Sequence, residues 1–186
     1  MIDQEKIKTA VISIIEAIGD DPSREGLVDT PRRIAEMYAD IFGGIDEDPE
    51  EHLKIGFEEG HQEMVIAKDI PFYAMCEHHF LPFHGTAHIG YIPNGRVVGV
   101  SKLSRIVEVF ARRPQLQERL TTQVADTMVK VLQPKGVAVI VEVEHLCMTM
   151  RGIRKPGSKM VTSAMRGLLR ERAATRAEFL TLIGHK

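Results

Sequence analysis

The run GVAVIVEVEHLCM, residues 136–148, decides how the rest of the chain is read. It is dominated by valine and isoleucine and follows Pro134-Lys135-Gly136, so it is a strand. GIRKPGS, 152–158, is then a turn, and KMVTSAM, 159–165, is its antiparallel partner. Upstream, MVIAKDI at 64–70 is another strand. HGTAHIGYIP (84–93) and RVVGV (96–100) flank Asn94-Gly95, the signature of a two-residue hairpin. Two helices lie between these strands and residue 136. Ser101 or Ser104 can cap the first, which carries Leu103, Ile106, Val107 and Phe110 on one face. Pro114 opens the second, with Leu116, Leu120, Val124, Met128 and Val131. The order strand, strand, helix, helix, strand, strand implies an α+β fold, with helices covering one face of an antiparallel sheet. A helical segment over 168–183 follows.

The N-terminal part reads differently. Asp3 caps a helix with the stripe Ile7, Val11, Ile14, Ile15 and Ile18, stopped by Gly19. Thr30 caps a second, with Pro31 in its first position and Ile34, Met37, Tyr38 and Ile41 as its stripe. Residues 46–62 are acidic and irregular, which divides the chain into a helical part, 1–62, and a second part, 63–186.

Bulk properties exclude several function classes. The 186 residues are 44% hydrophobic and 27% charged, with net charge -2 and no acidic or basic tail. Nothing global points to nucleic acid or a membrane as partner. No apolar run approaches the ~20 residues of a spanning helix, and MIDQEKIKTAV lacks the form of a signal peptide. The expected compartment is the cytoplasm. Two cysteines make no disulfide framework.

Those two cysteines carry the chemistry. His145-Leu146-Cys147 closes the strand, and residues i and i+2 of a strand share a face, so His145 and Cys147 are expected to point together. Cys76-Glu77-His78-His79 follows another strand, where the chain turns. Bringing the two strand ends together collects two thiols and three imidazoles, the preferred ligands of zinc. Three ligands plus an open position is the catalytic arrangement, and two imidazoles would remain for proton transfer. A Cys76–Cys147 disulfide would also join those strand ends, and a buried cysteine is often only a small hydrophobe. Ser101, Lys102 and Arg105 sit at a helix start, where cations oppose the dipole and an anionic ligand would explain them. Arg151 lies just beyond Cys147, whereas Arg112, Arg154 and Lys155 read as solvated surface. Gln117-Glu118 is a favourable helix start or a carboxylate reading a donor-rich ring edge.

Asp21-Pro22, Arg24-Glu25-Gly26-Leu27, Asp29-Thr30-Pro31, CEHH at 76–79, GVSKLSR at 99–105, RRPQLQERL at 112–120 and HLCM at 145–148 occur in this order. Together they resemble the GTP cyclohydrolase I family, over about residues 19–182. The resemblance implies a tunnelling fold: a four-stranded antiparallel sheet with two helices on one face, preceded by an N-terminal helical part. It implies hydrolysis of GTP to formate and 7,8-dihydroneopterin triphosphate, opening tetrahydrofolate and pterin synthesis. By the same resemblance Cys76, His79 and Cys147 hold one Zn2+ per subunit, and His78 and His145 transfer protons. Glu118 anchors guanine with Gln117 beside it. Ser101, Lys102, Arg105 and Arg151 contact ribose and triphosphate, and Arg33 reaches a phosphate from another subunit. A homodecamer of two five-membered rings, with active sites shared between subunits, is implied too. Three alternatives differ. A zinc base deaminase needs a Pro-Cys-x-x-Cys pair, which is missing here. The related nitrile reductase of queuosine synthesis uses a nucleophilic cysteine without zinc. A structural zinc module would close the site with four ligands.

Overall fold

A computed structural model describes residues 2–184. Asp3 accepts a hydrogen bond from the Lys6 backbone N–H at 3.1 Å, which starts helix α1, Gln4–Ala17. Val11 and Ile15 are buried against α2, Thr30–Ile41, while Ile14 and Ile18 stay exposed. The N-cap of α2 is Asp29 rather than Thr30, one residue earlier than expected. Residues 46–62 are not irregular throughout. The Asp48 carboxylate accepts from the Glu50 N–H and Pro49 takes the first turn, giving α3, Pro49–Leu53, followed by strand β1, Gly56–Glu58. Leu53 is buried in the main core, which holds this segment in place.

The chain continues through β2 (Val65–Cys76), β3 (Pro82–Ile92), β4 (Arg96–Val98), α4 (Val100–Ala111), β5 (Pro114–Gln115) and α5 (Gln117–Leu132). It ends with β6 (Gly136–His145), α6 (Leu146–Thr149), β7 (Lys159–Gly167), α7 (Leu168–Glu171) and α8 (Ala173–Ile183). The main sheet has five strands in the order β5-β2-β3-β6-β7. Its long strands are antiparallel, and the two-residue β5 adds a parallel fifth beside Met75 and Cys76. Pro114 therefore opens a strand, and α5 starts three residues later with Leu116 as its N-cap. Gly99 is the N-cap of α4, so Ser101 and Ser104 lie inside that helix.

The hairpin expected at Asn94-Gly95 does not form. Both edges of β3 are already taken along its length, Tyr91 lying opposite Val65 of β2 and Val137 of β6. No edge is left for residues 96–98, which pair with β1 instead.

The helices are not confined to one face. Val137, Val139, Val141 and Val143 of β6 join the core made with α4 and α5, through Leu103, Ile106, Leu120 and Val124. Ala138 and Ile140, the alternate positions, pack against Leu169, Phe179 and Ile183 of α7 and α8. A strand apolar at successive positions is buried on both sides, and residues 136–141 had that pattern. Arg112, expected in solvent, is half-buried. It donates to the Asp40 carbonyl and carboxylate and to Glu47, fastening α4 to the end of α2.

The register gives the sheet two distinct ends. Cys76, Phe83 and His145 lie at one, and Val65, Tyr91 and Gly136 at the other. No helix among the described residues is long and apolar enough to cross a membrane.

Candidate functional site

β2 ends at Cys76 because the chain folds back there. The Phe80 N–H donates to the Cys76 carbonyl and the Cys76 N–H to the Leu81 carbonyl, both at 2.9 Å, closing a turn over residues 77–79. Phe80 has φ 52° and its ring packs 5.6 Å from that of Phe42. His78 and His79 are therefore in a turn, not in extended chain, with ring centroids 6.4 Å apart. On the facing side β6 ends at His145 and the chain coils into α6, which carries Cys147. Strand alternation thus does not relate His145 to Cys147, contrary to expectation; the helical turn aims the cysteine.

Cys76, His79 and Cys147 bring one ligand atom each to within 4.8 Å of one another, the metal-competent group found among the described residues. Both thiols are free. A tetrahedral ion with bonds of ~2.0–2.3 Å has ligands about 3.5–3.8 Å apart, so small side-chain rotations close this set on a cation. Burial pushes the Cys147 thiol up, and neighbouring Cys76 adds to it. A soft divalent cation relieves that cost by stabilising the thiolate, and Cys-His-Cys is a donor set zinc accepts.

His145 is buried, its ring stacked 4.7 Å from Phe83 at 20°. Burial lowers its pKa, and the Glu118 carboxylate opposes that by raising it. Gln117, buried at the start of α5, places Oε1 3.0 Å from His145 Nε2 and donates its amide N–H groups to Val141 O (3.1 Å) and Met160 O (3.0 Å). Those carbonyls can only accept, so the amide orientation is determined, and its oxygen must accept from a protonated Nε2. Glu118, next in sequence, is exposed.

Arg151 reaches the rim, its Nη1 lying 3.2 Å from His79 Nε2. Ser101, Lys102 and Arg105 do not join it within this chain. Val98 donates to the Tyr91 hydroxyl, so α4 starts at the far end of the sheet, and Ser101 lies about 15 Å of helix from Ala111, near the Cys76 end. Arg33 is exposed on α2, with Asp29 as an ion-pair partner at 3.4 Å. A cleft of about 700 Å³ between α2, α4 and the outer edge of β2 includes none of Cys76, His79 and Cys147.

One pair escaped the sequence reading. Arg119 grips Glu77 through Nη1–Oε2 (2.5 Å) and Nη2–Oε1 (3.0 Å), and the guanidinium lowers the Glu77 pKa. An acid inside a ligand-bearing turn and a cation next to Glu118 were the available signal.

The GTP cyclohydrolase I family model matches residues 7–184. The chain belongs to the GTP cyclohydrolase I family. Relatives in this family are similar from end to end. A "GTP cyclohydrolase 1" of Carboxydothermus hydrogenoformans is 60% identical over 100% of this chain and 97% of its own length. One from Pelotomaculum thermopropionicum is 62% identical over 98% of each, and one from Bacillus cytotoxicus 59% identical over 100% of this chain and 98% of its own. Among solved structures, the archaeosine synthase QueF-Like in the apo form has a TM-score of 0.45 at 20% identity, covering 56% of this chain and 93% of that one.

Proposed function

We propose that this chain hydrolyses the imidazole ring of the guanine of GTP, releasing formate and forming 7,8-dihydroneopterin triphosphate, in the route to tetrahydrofolate. The observation that carries the reading is the approach of Cys76, His79 and Cys147 to within 4.8 Å in a full-length member of this family. These residues would hold zinc, one ion per subunit. When bound, zinc supplies a Lewis acid that brings the pKa of a water towards ~7.

The chain's own side chains do the rest. Carbon 8 of guanine is a poor electrophile until nitrogen 7 is protonated, a task for exposed His78. Glu118, in the first turn of α5, accepts from the donor-rich edge of the base. His145 and Ser101 move protons at the ribose as it opens and recloses on the freed amine. Lys102, Arg105, Arg151 and Arg33 bind the triphosphate through charge-assisted hydrogen bonds. All of these except Arg33 fall in residues 63–186, which supports the division into an N-terminal helical part and a catalytic part.

Separation of Ser101 and Lys102 from the Cys-His-Cys group along α4 supports a site completed by a neighbouring subunit. The outer edge of β2 is covered by β5 only at Met75 and Cys76, and β7 is the opposite edge, so both edges are open to pairing. Closing tunnelling-fold sheets into a ring removes those edges. The assembly we propose is a decamer of two such rings, working in the cytoplasm. Incubating zinc-loaded protein with GTP tests the function: formate and a pterin that fluoresces after oxidation are expected, and absence of both would overturn it.

A further inference from the structure

Glu77 is the member of Cys76-Glu77-His78-His79 for which the proposed reaction has no use. Its carboxylate is held by two parallel N–H···O bonds from Arg119, 42 residues away. A planar guanidinium gripping a carboxylate in this way fixes orientation as well as distance, which a single-point ammonium contact does not. The two residues belong to the two elements that make the site. Glu77 is in the turn between β2 and β3, and Arg119 is in the first turn of α5, beside Gln117 and Glu118. We propose that Glu77 and Arg119 are a positioning pair that holds the metal-ligand turn in register with the start of α5.

Two observations make the pair more than a solvated surface contact. The Glu77 backbone N–H already donates to the Gln115 carbonyl at 3.1 Å, next to the Cys76–Gln115 register of β2 and β5. The fork is thus a second tether between the same elements, and two tethers suppress the rotation that one permits. The receiving side is also rigid. The buried Gln115 amide donates to Phe110 O and Gln123 Oε1 while its oxygen accepts from Leu116 N–H. On the turn itself, His79 is exposed and its position depends on how the turn is held. Loss of the fork leaves the fold intact and lets His79 wander from the Cys76–Cys147 pair.

The inference rests on the metal-site reading, and zinc affinity of the full chain, measured by chelator competition, tests both separately. Glu77→Gln and Arg119→Gln are each expected to weaken zinc binding ~10-fold, the scale typical of groups that orient metal ligands from outside. The double variant should be no weaker than either single one. Arg119→Lys, which keeps the charge and loses the two-pronged geometry, should lose nearly as much as Arg119→Gln. Thermal midpoints of the zinc-free proteins should match the parent, separating positioning from stability. Single variants within twofold of the parent, additive losses in the double variant, or full affinity in Arg119→Lys would overturn the pair's role while leaving the metal site standing. Failure of the parent chain to bind zinc would overturn the metal site and the inference together.

Discussion

Gln117 Oε1 lies 3.0 Å from His145 Nε2 while the same amide donates to the Val141 and Met160 carbonyls of β6 and β7. One buried side chain therefore joins α5 to two strands and orients an imidazole of the proposed site. Gln117→Leu strands two carbonyls and a ring nitrogen, and each buried unsatisfied group costs about 1–3 kcal/mol. The expected loss is about 3 kcal/mol or more in urea unfolding. In a stable enough background, kcat should fall while KM for GTP changes little, because the amide is committed to the protein rather than to substrate.

The ligand assignment separates the adjacent histidines. Cys147→Ser and His79→Ala should each lose zinc and turnover, since both donors belong to the 4.8 Å group. His78→Ala should keep zinc by elemental analysis and lose ring opening. Full occupancy in Cys147→Ser, or zinc loss in His78→Ala alone, contradicts the assignment.

A packing prediction concerns the second face of the sheet. A Cβ on Gly90 would stand 2.6 Å from Cδ2 of Phe179, so the aromatic ring occupies the space the missing side chain leaves. Gly90→Ala forces Phe179 outward and should destabilise by about 1–3 kcal/mol. Phe179→Ala alone should cost ~3–5 kcal/mol. The double variant should fall short of the sum, because the clash vanishes with the ring. Denaturant midpoints of the four proteins measure this.

Acid sensitivity at the α1–α2 connection has a defined sign. Arg24 donates two hydrogen bonds to the Asp20 carboxylate, which with the Asp21 N–H takes the Asp20 pKa down to about 2 from 3.8. The folded value is below the unfolded one, so the contribution is complete above pH ~4 and is lost as pH falls through about 2. Asp20→Asn should flatten the stability–pH curve in that window and leave neutral-pH behaviour of other carboxylates unchanged. The effect is small because the pair is exposed to solvent.

Shared sites predict complementation. Co-assembling Cys147→Ser with Lys102→Ala creates interfaces that pair an intact Cys-His-Cys group with an intact phosphate-binding helix start. Activity should partly return in verified mixed assemblies. No recovery, or a fully active monomer, contradicts a shared site.

Much of this was legible in the residues themselves. The valine-rich alternation of 136–145 with its His-x-Cys ending, the Asp3 cap and the apolar stripe of 117–132 all act through neighbours in sequence or through burial, which local pattern reports. The two thiols and three nearby imidazoles were visible as a candidate metal group, whereas the choice of His79 beside Cys76 and Cys147 came from the resemblance to the family. The rest depended on tertiary structure. Asn94-Gly95 has the local form of a hairpin, yet β2 and β6 already occupied both edges of β3, and no residue near position 94 encodes that competition. Cys147 reached the group through a helical turn rather than strand alternation. The Gln117–His145 and Glu77–Arg119 contacts join residues 28 and 42 positions apart, and such pairings exist only once helix α5 has docked on the sheet. Local chemistry marked the thiols and imidazoles, and docking of distant elements decided which of them meet, because side-chain reach is a few ångströms while the fold sets which residues come that close.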